Sequence, residues 1–340
     1  MKPIPADALA SAARRLQYAL DGATTTDQAF EKLYAVADTR QAAALRQLQS
    51  LLRSPEASAP DAEGSQRSPY PTLAWLLGQT PAPERSAAAL FAEFSRHQSF
   101  CSSSLLSAWS EFSGFLTYLG AVLGALIAVV LMYGLFVLPQ FKSLYGGLGE
   151  DLPALTSVMF GHGVPAALFV LMLVAALLVF LCWFVSRLRR QLRRYSPMPA
   201  AYQRMPLVGS VVLTYHQYLW LSYAGLLRAA QVPAAQALAV AGTRLPLLEA
   251  REWDAAAGGS PTPAELAAFG LVSDLSFAAR LGKLDEEAEF QRNAIGDAFL
   301  AALGRCRRRS RIVLSILIYL LVAAFVSAMY LPIFSLGSAI

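Results

Sequence analysis

The sequence predicts an all-α membrane protein with three transmembrane helices and two duplicated cytoplasmic antiparallel helical bundles. Three observations lead to this fold class: long stretches without charge, arginine clusters at their borders, and a similar order of landmarks in two halves of the chain. Of the 340 residues, 56% are apolar and only 15% are charged, whereas an ordinary soluble chain has ~25% charged residues. A purely soluble enzyme is therefore excluded.

Three stretches of the chain carry no Asp, Glu, Lys or Arg. They are residues 112–141, 152–186 and 312–340. Each is longer than the ~20 residues that an α-helix needs to cross a bilayer. Because lipid offers backbone amides no hydrogen-bond partner, apolar runs of this length must be helical. The sequence thus predicts transmembrane helices at 112–139, 164–186 and 312–332.

The orientation of these spans follows from basic residues, which stay on the cytoplasmic side of a membrane. Arginine clusters follow the second span and precede the third: Arg187, Arg189, Arg190, Arg193 and Arg194, and Arg305, Arg307, Arg308, Arg309 and Arg311. We interpret them as topology signals in contact with membrane lipid, with an acidic partner as the alternative. No nucleic-acid partner is needed to explain the net charge of +5.

The resulting topology is that of a multi-pass protein with a cytoplasmic N-terminus and a periplasmic C-terminus. Residues 1–111 and 187–311 are expected to form the first and second cytoplasmic bundles. The short loop 140–163 and the tail 333–340 are expected to lie in the periplasm.

The two cytoplasmic regions follow one plan. Each has an apolar helix, a short break and a helix that opens on Gln-Ala, at 14–30 and at 218–238. Each then has a breaker-rich loop, at 54–69 and at 258–263, and a membrane helix expected to stop at Pro-x-Phe. The two Pro-x-Phe motifs are Pro139-Gln140-Phe141 and Pro332-Ile333-Phe334. This shared order predicts an old duplication, and the Ala-, Leu- and Arg-rich composition predicts helical bundles.

Four segments of the chain resemble one known family. They are VLPQFKSLYGGLGEDLPALT at 137–156, Pro-Leu-Val-Gly at 206–209, Gly-Lys-Leu-Asp at 282–285 and AMYLPIFSLGSAI at 328–340. The first is similar to the signature that follows the first membrane helix of the type II secretion F family. The last is similar to that family's C-terminus, and the other two to landmarks of its second domain.

This family contains the inner-membrane platform proteins of type II secretion and type IV pilus assembly. The resemblance implies a bacterial inner-membrane protein that couples a cytoplasmic assembly ATPase to pilin or pseudopilin subunits. It also implies contacts with other inner-membrane components of the machine and a homo-oligomer. Platform proteins are not enzymes, so the motor is expected to be a separate protein.

The sequence predicts no catalytic, cofactor or metal site. Gly282-Lys283 does not belong to a P-loop, because Phe277 stands where the first glycine is needed. The three histidines, His97, His162 and His216, have no Cys or carboxylate at metal-ligand spacing. Cys101, Cys182 and Cys306 suggest no disulfide framework.

Three groups of residues are candidates for contacts with partners. Gly120 and Gly124 form a close-packing face on the first span, either for the chain's own spans or for a subunit helix or second copy. A second group anchors the outer helix ends or handles subunits: Pro139, Phe141, Tyr330, Pro332 and Phe334. The third is an acidic run that is either a solvated face or a docking patch for the ATPase: Asp285, Glu286 and Glu289.

Two other function classes stay open at this point. A small-molecule or ion transporter predicts a polar cavity between the spans, but spans two and three hold no ionisable side chain, which speaks against transport. A membrane sensor or adaptor predicts a ligand pocket in the first bundle.

Overall fold

The computed structural model describes residues 6–21, 25–53, 71–80, 86–137, 139–140, 143, 164–206, 208–257 and 270–339. Within these ranges all regular secondary structure is helical and no strand occurs, which confirms the all-α class. The predicted loops 54–69 and 258–263, and most of the outer loop 140–163, lie outside the described residues.

The α-helices are named here in chain order. They are α1 (Ala6–Asp21), α2 (Thr26–Tyr34), α3 (Thr39–Arg53), α4 (Pro71–Gly78), α5 (Ala87–Met132), α6 (Val164–Arg193), α7 (Gly209–Ala229), α8 (Ala234–Gly242), α9 (Leu248–Ala257), α10 (Leu271–Arg280) and α11 (Leu284–Ala339). A π-helix, Tyr133–Val137, follows α5, and a 3-10 helix, Ala200–Arg204, lies between α6 and α7.

The chain divides into two compact units. Met1–Ala108 and Leu188–Cys306 form the first, which we call the polar unit. Trp109–Arg187 and Arg307–Ile340 form the second, the apolar unit, which holds all three uncharged stretches. The borders of the units therefore lie close to those read from the charge pattern. The two regions predicted as separate bundles, however, pack together into the single polar unit.

Helix α7 is the centre of the polar unit. Most of its residues are buried, and α4, α8 and the 3-10 helix pack against it. Trp220 is fully buried, and its indole Nε1 donates to the carbonyl of Leu238 on α8 at 2.8 Å. A buried indole thereby contributes a large apolar area without leaving its N–H unpaired.

Glycine is required by the backbone at two positions of the polar unit. A Cβ on Gly209, the first residue of α7, would collide with the carbonyl of Gln203. Gly282 has φ +68° and ends α10, where the amide of Lys283 donates to the carbonyl of Ala278 at 2.9 Å. This left-handed C-cap turns the chain directly from α10 into α11.

The helices of the apolar unit each bury one narrow stripe. The buried side chains of α5 and α6 recur at helical spacing: Leu116, Leu119, Leu123 and Val130, and Leu171, Val174, Leu178 and Leu181. Large apolar side chains cover the opposite faces and are exposed: Tyr118, Leu135, Phe136, Phe169, Met172 and Val179. The apolar surface of this unit thus points outward.

Among the described residues, two segments are long and apolar enough to cross a membrane. They are Ser113–Val137 and Leu171–Arg193, with mean hydropathies of 2.5 and 2.4. Only 17% and 33% of their most apolar windows are buried, whereas the core helix of a soluble protein is enclosed on most sides. The first matches the predicted span 112–139, and the second overlaps the predicted span 164–186.

The third predicted span, 312–332, is not one of these two segments. It lies within α11, whose side chains from residue 331 onward are outside the described residues. The prediction that this helix stops at Pro332 is wrong, because α11 continues through Pro332 to Ala339. Proline removes the backbone hydrogen bond to the carbonyl of Ala328, but the helix continues on both sides of it.

Candidate functional site

The predicted close-packing face of α5 is open along the described chain. Gly120 and Gly124 are exposed, and a Cβ placed on either would meet no described atom within 4 Å. Ala121, Ala125 and Ala128 are also exposed. The face is therefore smooth and available to another helix, and the identity of that helix stays a prediction.

The residues predicted at the outer helix ends are only partly described. Pro139 and Tyr330 are exposed. Phe141 lies outside the described residues, as do the side chains of Pro332 and Phe334. Their roles in anchoring or subunit handling stay predictions.

The predicted acidic run lies in the first turns of α11, where carboxylates interact favourably with the positive end of the helix dipole. Asp285 forms an ion pair with Arg228 of α7, and Glu289 pairs with Arg96 of α5 at 2.8 Å. Within the described part of the chain, Glu286 pairs with the exposed Lys283 at 3.7 Å, and its own side chain is 77% exposed. All three carboxylates are exposed; Asp285 and Glu289 pair with arginines of other helices, whereas Glu286 pairs within its own segment. Docking of the ATPase at these residues stays a prediction.

A reciprocal charge network that was not predicted from the sequence joins α5 to α11. We define the network as Glu93, Arg96, Glu289 and Arg292. Arg292 donates to Glu93 at 2.5 Å, while Arg96 donates to Glu289 at 2.8 Å. On each helix a glutamate is followed three residues later by an arginine, and each glutamate pairs with the arginine of the other helix.

A short repeat in the sequence is the signal that points to this network. Glu-Phe-x-Arg occurs at 93–96 and again at 289–292. The two copies differ in burial: the side chain of Arg292 is 9% exposed, and that of Arg96 is 54% exposed. Arg292 therefore makes the pair that is least screened by solvent.

A pocket of about 180 Å³ lies beside the network. Charged side chains of both signs line it, together with the small residues Gly225, Ala229 and Ala288. A Cβ on Gly225 would lie 3.0 Å from the guanidinium of Arg292, so this glycine lets the arginine lie close to α7. The charged lining residues are Glu93, Arg228, Glu289 and Arg292, and each has an opposite-charge partner.

A second buried polar cluster surrounds His97 of α5. Its Nε2 lies 3.2 Å from the carbonyl of Leu192, so Nε2 carries the proton, and Nδ1 accepts from the Tyr218 hydroxyl at 3.1 Å. The ring of Tyr195 meets His97 edge-on, with 4.1 Å between centroids. The hydroxyl of Tyr223 in turn donates to the Tyr195 carbonyl at 2.6 Å.

Burial keeps this cluster neutral. Loss of solvent lowers the pKa of His97 to about 3. It also lowers the pKa of His216 to about 4, at a separate site on α7 where His216 accepts from the amide of Met198 at 3.1 Å. The same effect raises the pKa of Cys101 to about 12, although its Sγ lies 3.5 Å from His97 Nε2. A thiol that does not ionise is no nucleophile, so the contact is structural.

The described residues hold no group of three or more His, Cys, Asp or Glu that is arranged to bind a metal ion. His162 lies outside the described ranges. Comparison of the chain with family models, with curated proteins and with solved structures finds no match. The family resemblance of the four sequence segments accordingly stays a prediction.

Replacing Arg292 with alanine is expected to destabilise the polar unit by about 2–4 kcal/mol, because Glu93 loses its least exposed partner. Arg96 is the equivalent arginine in the first copy of the Glu-Phe-x-Arg motif. Arg96→Ala should lower the free energy of unfolding by less than about 1 kcal/mol, since its ion pair with Glu289 is exposed. Thermal or denaturant unfolding of the detergent-purified variants measures both. Equal losses in the two variants would contradict the difference in burial.

Acidification is expected to weaken the fold through the two buried histidines. Because their pKa values are lower in the folded state than in the unfolded state, the unfolded chain takes up protons first as the pH falls below ~6.5. The free energy of unfolding should drop by about 1.4 kcal/mol per histidine between pH ~7.5 and ~5.5.

His97→Gln and His216→Gln test this pH dependence. Each substitution should remove about half of the pH effect on the unfolding free energy, and the double variant nearly all of it. Each variant is compared with itself at the two pH values, so any stability lost at both pH values cancels. An unchanged pH dependence in the double variant would refute the assignment.

Proposed function

We propose that the chain is a multi-pass inner-membrane platform protein of a type IV pilus or type II secretion machine. It couples a separate cytoplasmic assembly ATPase to pilin or pseudopilin subunits. The observation that carries the membrane part is the outward-facing apolar surface of α5 and α6. The machine-specific part rests on the resemblance of the segments at 137–156, 206–209, 282–285 and 328–340.

The exposed apolar side chains favour a bilayer over water. Each large apolar side chain left in water forgoes about 1.5–3 kcal/mol of burial free energy, and both candidate spans expose several of them. A bilayer around the apolar unit removes this surface from water while the buried stripes hold the helices together.

A third crossing by α11 is part of the proposal. From residue 312 this helix repeats the pattern of the two candidate spans: Leu314 and Ile318 are buried, while Ile312, Ile316, Tyr319 and Leu320 are exposed. With three crossings, residues 1–111 and 187–311 share the cytoplasmic side with the arginine clusters, and the C-terminus is periplasmic.

The order of the helices supports the proposed duplication. A helix, a break and a second helix open each half, as α1 and α2 and as α7 and α8. Among the described residues, each half then has two further helices and ends in its longest one, α5 or α11. The Glu-Phe-x-Arg motif lies near the start of both long helices.

The two units suit the two halves of the proposed task. Glu286 offers the cytoplasmic ATPase an exposed carboxylate at the start of α11. The smooth face at Gly120 and Gly124 offers the apolar helix of a pilin-like subunit a close approach. Because the sequence carries no P-loop, the work must come from the ATPase.

Fusions to the full chain test the number of crossings. Green fluorescent protein, which does not fluoresce after export, should be bright at the N-terminus and dark at the C-terminus. Alkaline phosphatase, which is active only in the periplasm, should be active at the C-terminus. A chain with two crossings would return its C-terminus to the cytoplasm and give the opposite result there.

Deletion of the gene in its own bacterium tests the function. Loss of surface pili or of secreted proteins is expected, with restoration by the wild-type gene. Glu286→Lys should restore less and should co-purify with less assembly ATPase, because the exposed carboxylate is reversed in charge. Glu252→Lys changes another exposed glutamate and should behave as wild type. Normal pili and secretion in the deletion strain would refute the platform proposal.

A further inference from the structure

We propose that the apolar unit binds anionic phospholipid headgroups at an arginine belt, defined as Arg187, Arg308, Arg309 and Arg311. The inference rests on the proposed membrane location and adds a specific class of lipid to it. The belt lies where the uncharged stretches of α6 and α11 begin or end.

No acidic residue of the described chain neutralises the belt. The sequence has no Asp or Glu between Asp151 and Glu249, and none after Asp297. Among the described residues, none of the belt arginines lies within 4 Å of a carboxylate. Arg308 and Arg311 are three residues apart on α11, a spacing at which like charges repel. A bound anion relieves this repulsion.

Aromatic rings position two of the belt guanidinium groups. That of Arg187 lies 5.3 Å from the ring centre of Trp183, and that of Arg311 lies 5.8 Å from the ring centre of Phe115. Such cation–π contacts use the face of the guanidinium and leave its N–H edge for a phosphate. The Nε of Arg187 is buried and has no hydrogen-bond partner among the described groups.

The apolar neighbours of the belt indicate a lipid rather than a soluble phosphate. Ile312 and Ile316 follow Arg311 on α11 and are exposed, as is Trp183 beside Arg187. A phospholipid satisfies both parts at once, because its phosphate meets the arginines while its acyl chains cover the apolar side chains. A nucleic acid or free phosphate would leave these side chains in water. Trp is also typical of the headgroup level of membranes.

Short-chain lipids test the belt on the full chain in detergent. The wild-type protein should bind dioctanoyl-phosphatidylglycerol at least tenfold more tightly than dioctanoyl-phosphatidylcholine, as followed by titration of its thermal stability. The preference should shrink at ~0.5 M NaCl, because salt screens the charges. The triple variant R308Q/R309Q/R311Q should lose most of the preference.

A matched control removes three arginines elsewhere. Arg40, Arg46 and Arg251 are exposed in the polar unit, and R40Q/R46Q/R251Q should keep the wild-type preference. If the belt variant does not fold, the salt dependence of the wild-type preference decides the test. Equal binding of the two lipids by the wild-type chain would overturn the inference. So would loss of the preference in the control, or competition by inorganic phosphate or RNA as strong as that of phosphatidylglycerol.

Reconstitution separates this inference from the membrane proposal. The wild-type chain should enter nanodiscs of phosphatidylcholine alone, since insertion depends on the apolar spans. Insertion without any preference for the anionic lipid would overturn the belt and leave the membrane proposal standing. Failure to insert into nanodiscs of either composition would overturn both.

Discussion

The ion pair between the buried Arg292 and the half-buried Glu93 is the constraint to which the neighbouring helices of the polar unit are fitted. It joins a helix of the first half of the chain to a helix of the second half, 199 residues away in sequence. Removing a guanidinium from water costs several kcal/mol unless its charge and donors are matched. The carboxylates of Glu93 and Glu289 supply that match, so Arg292 stays within the unit only while α5 and α11 keep their register. A charge that is costly to bury thereby specifies which helices pack together.

Neighbouring residues are adapted to this pair. Gly225 has no side chain that would clash with the guanidinium of Arg292 beside α7. The short side chain of Ala288 on α11 lines the pocket. One turn along α5, His97 accepts a hydrogen bond from Tyr218 and donates one to the carbonyl of Leu192. Polar groups of α5 therefore link it to α11, to α7 and to the end of α6, and each link needs partners from distant parts of the chain.

Features that depend on local composition could be predicted from the sequence, and those that depend on distant partners could not. The absence of charge from 112–141 and 152–186 predicts apolar helices, and both occur. Periodicity does not tell which helices meet, so the two bundles were predicted apart although they form one unit. The helix end expected at Pro332 rested on a local rule for proline, and α11 continues past that residue. Glu289, read as a docking residue, is held by Arg96, a residue that only the repeated Glu-Phe-x-Arg motif connects to it.

Two glycines of the family-like segments, Gly209 and Gly282, have a structural role in the described chain. Gly209 is required because a side chain would strike the carbonyl of Gln203, and Gly282 because the turn into α11 needs a positive φ. A resemblance at such positions reflects the requirements of the backbone turn. Relatives with a different function would keep the same glycines. Under the proposed function, partner specificity resides instead in exposed surfaces outside these turns. Glu286 lies on such a surface in the polar unit, and Arg308, Arg309 and the smooth face at Gly120 and Gly124 lie on such surfaces in the apolar unit.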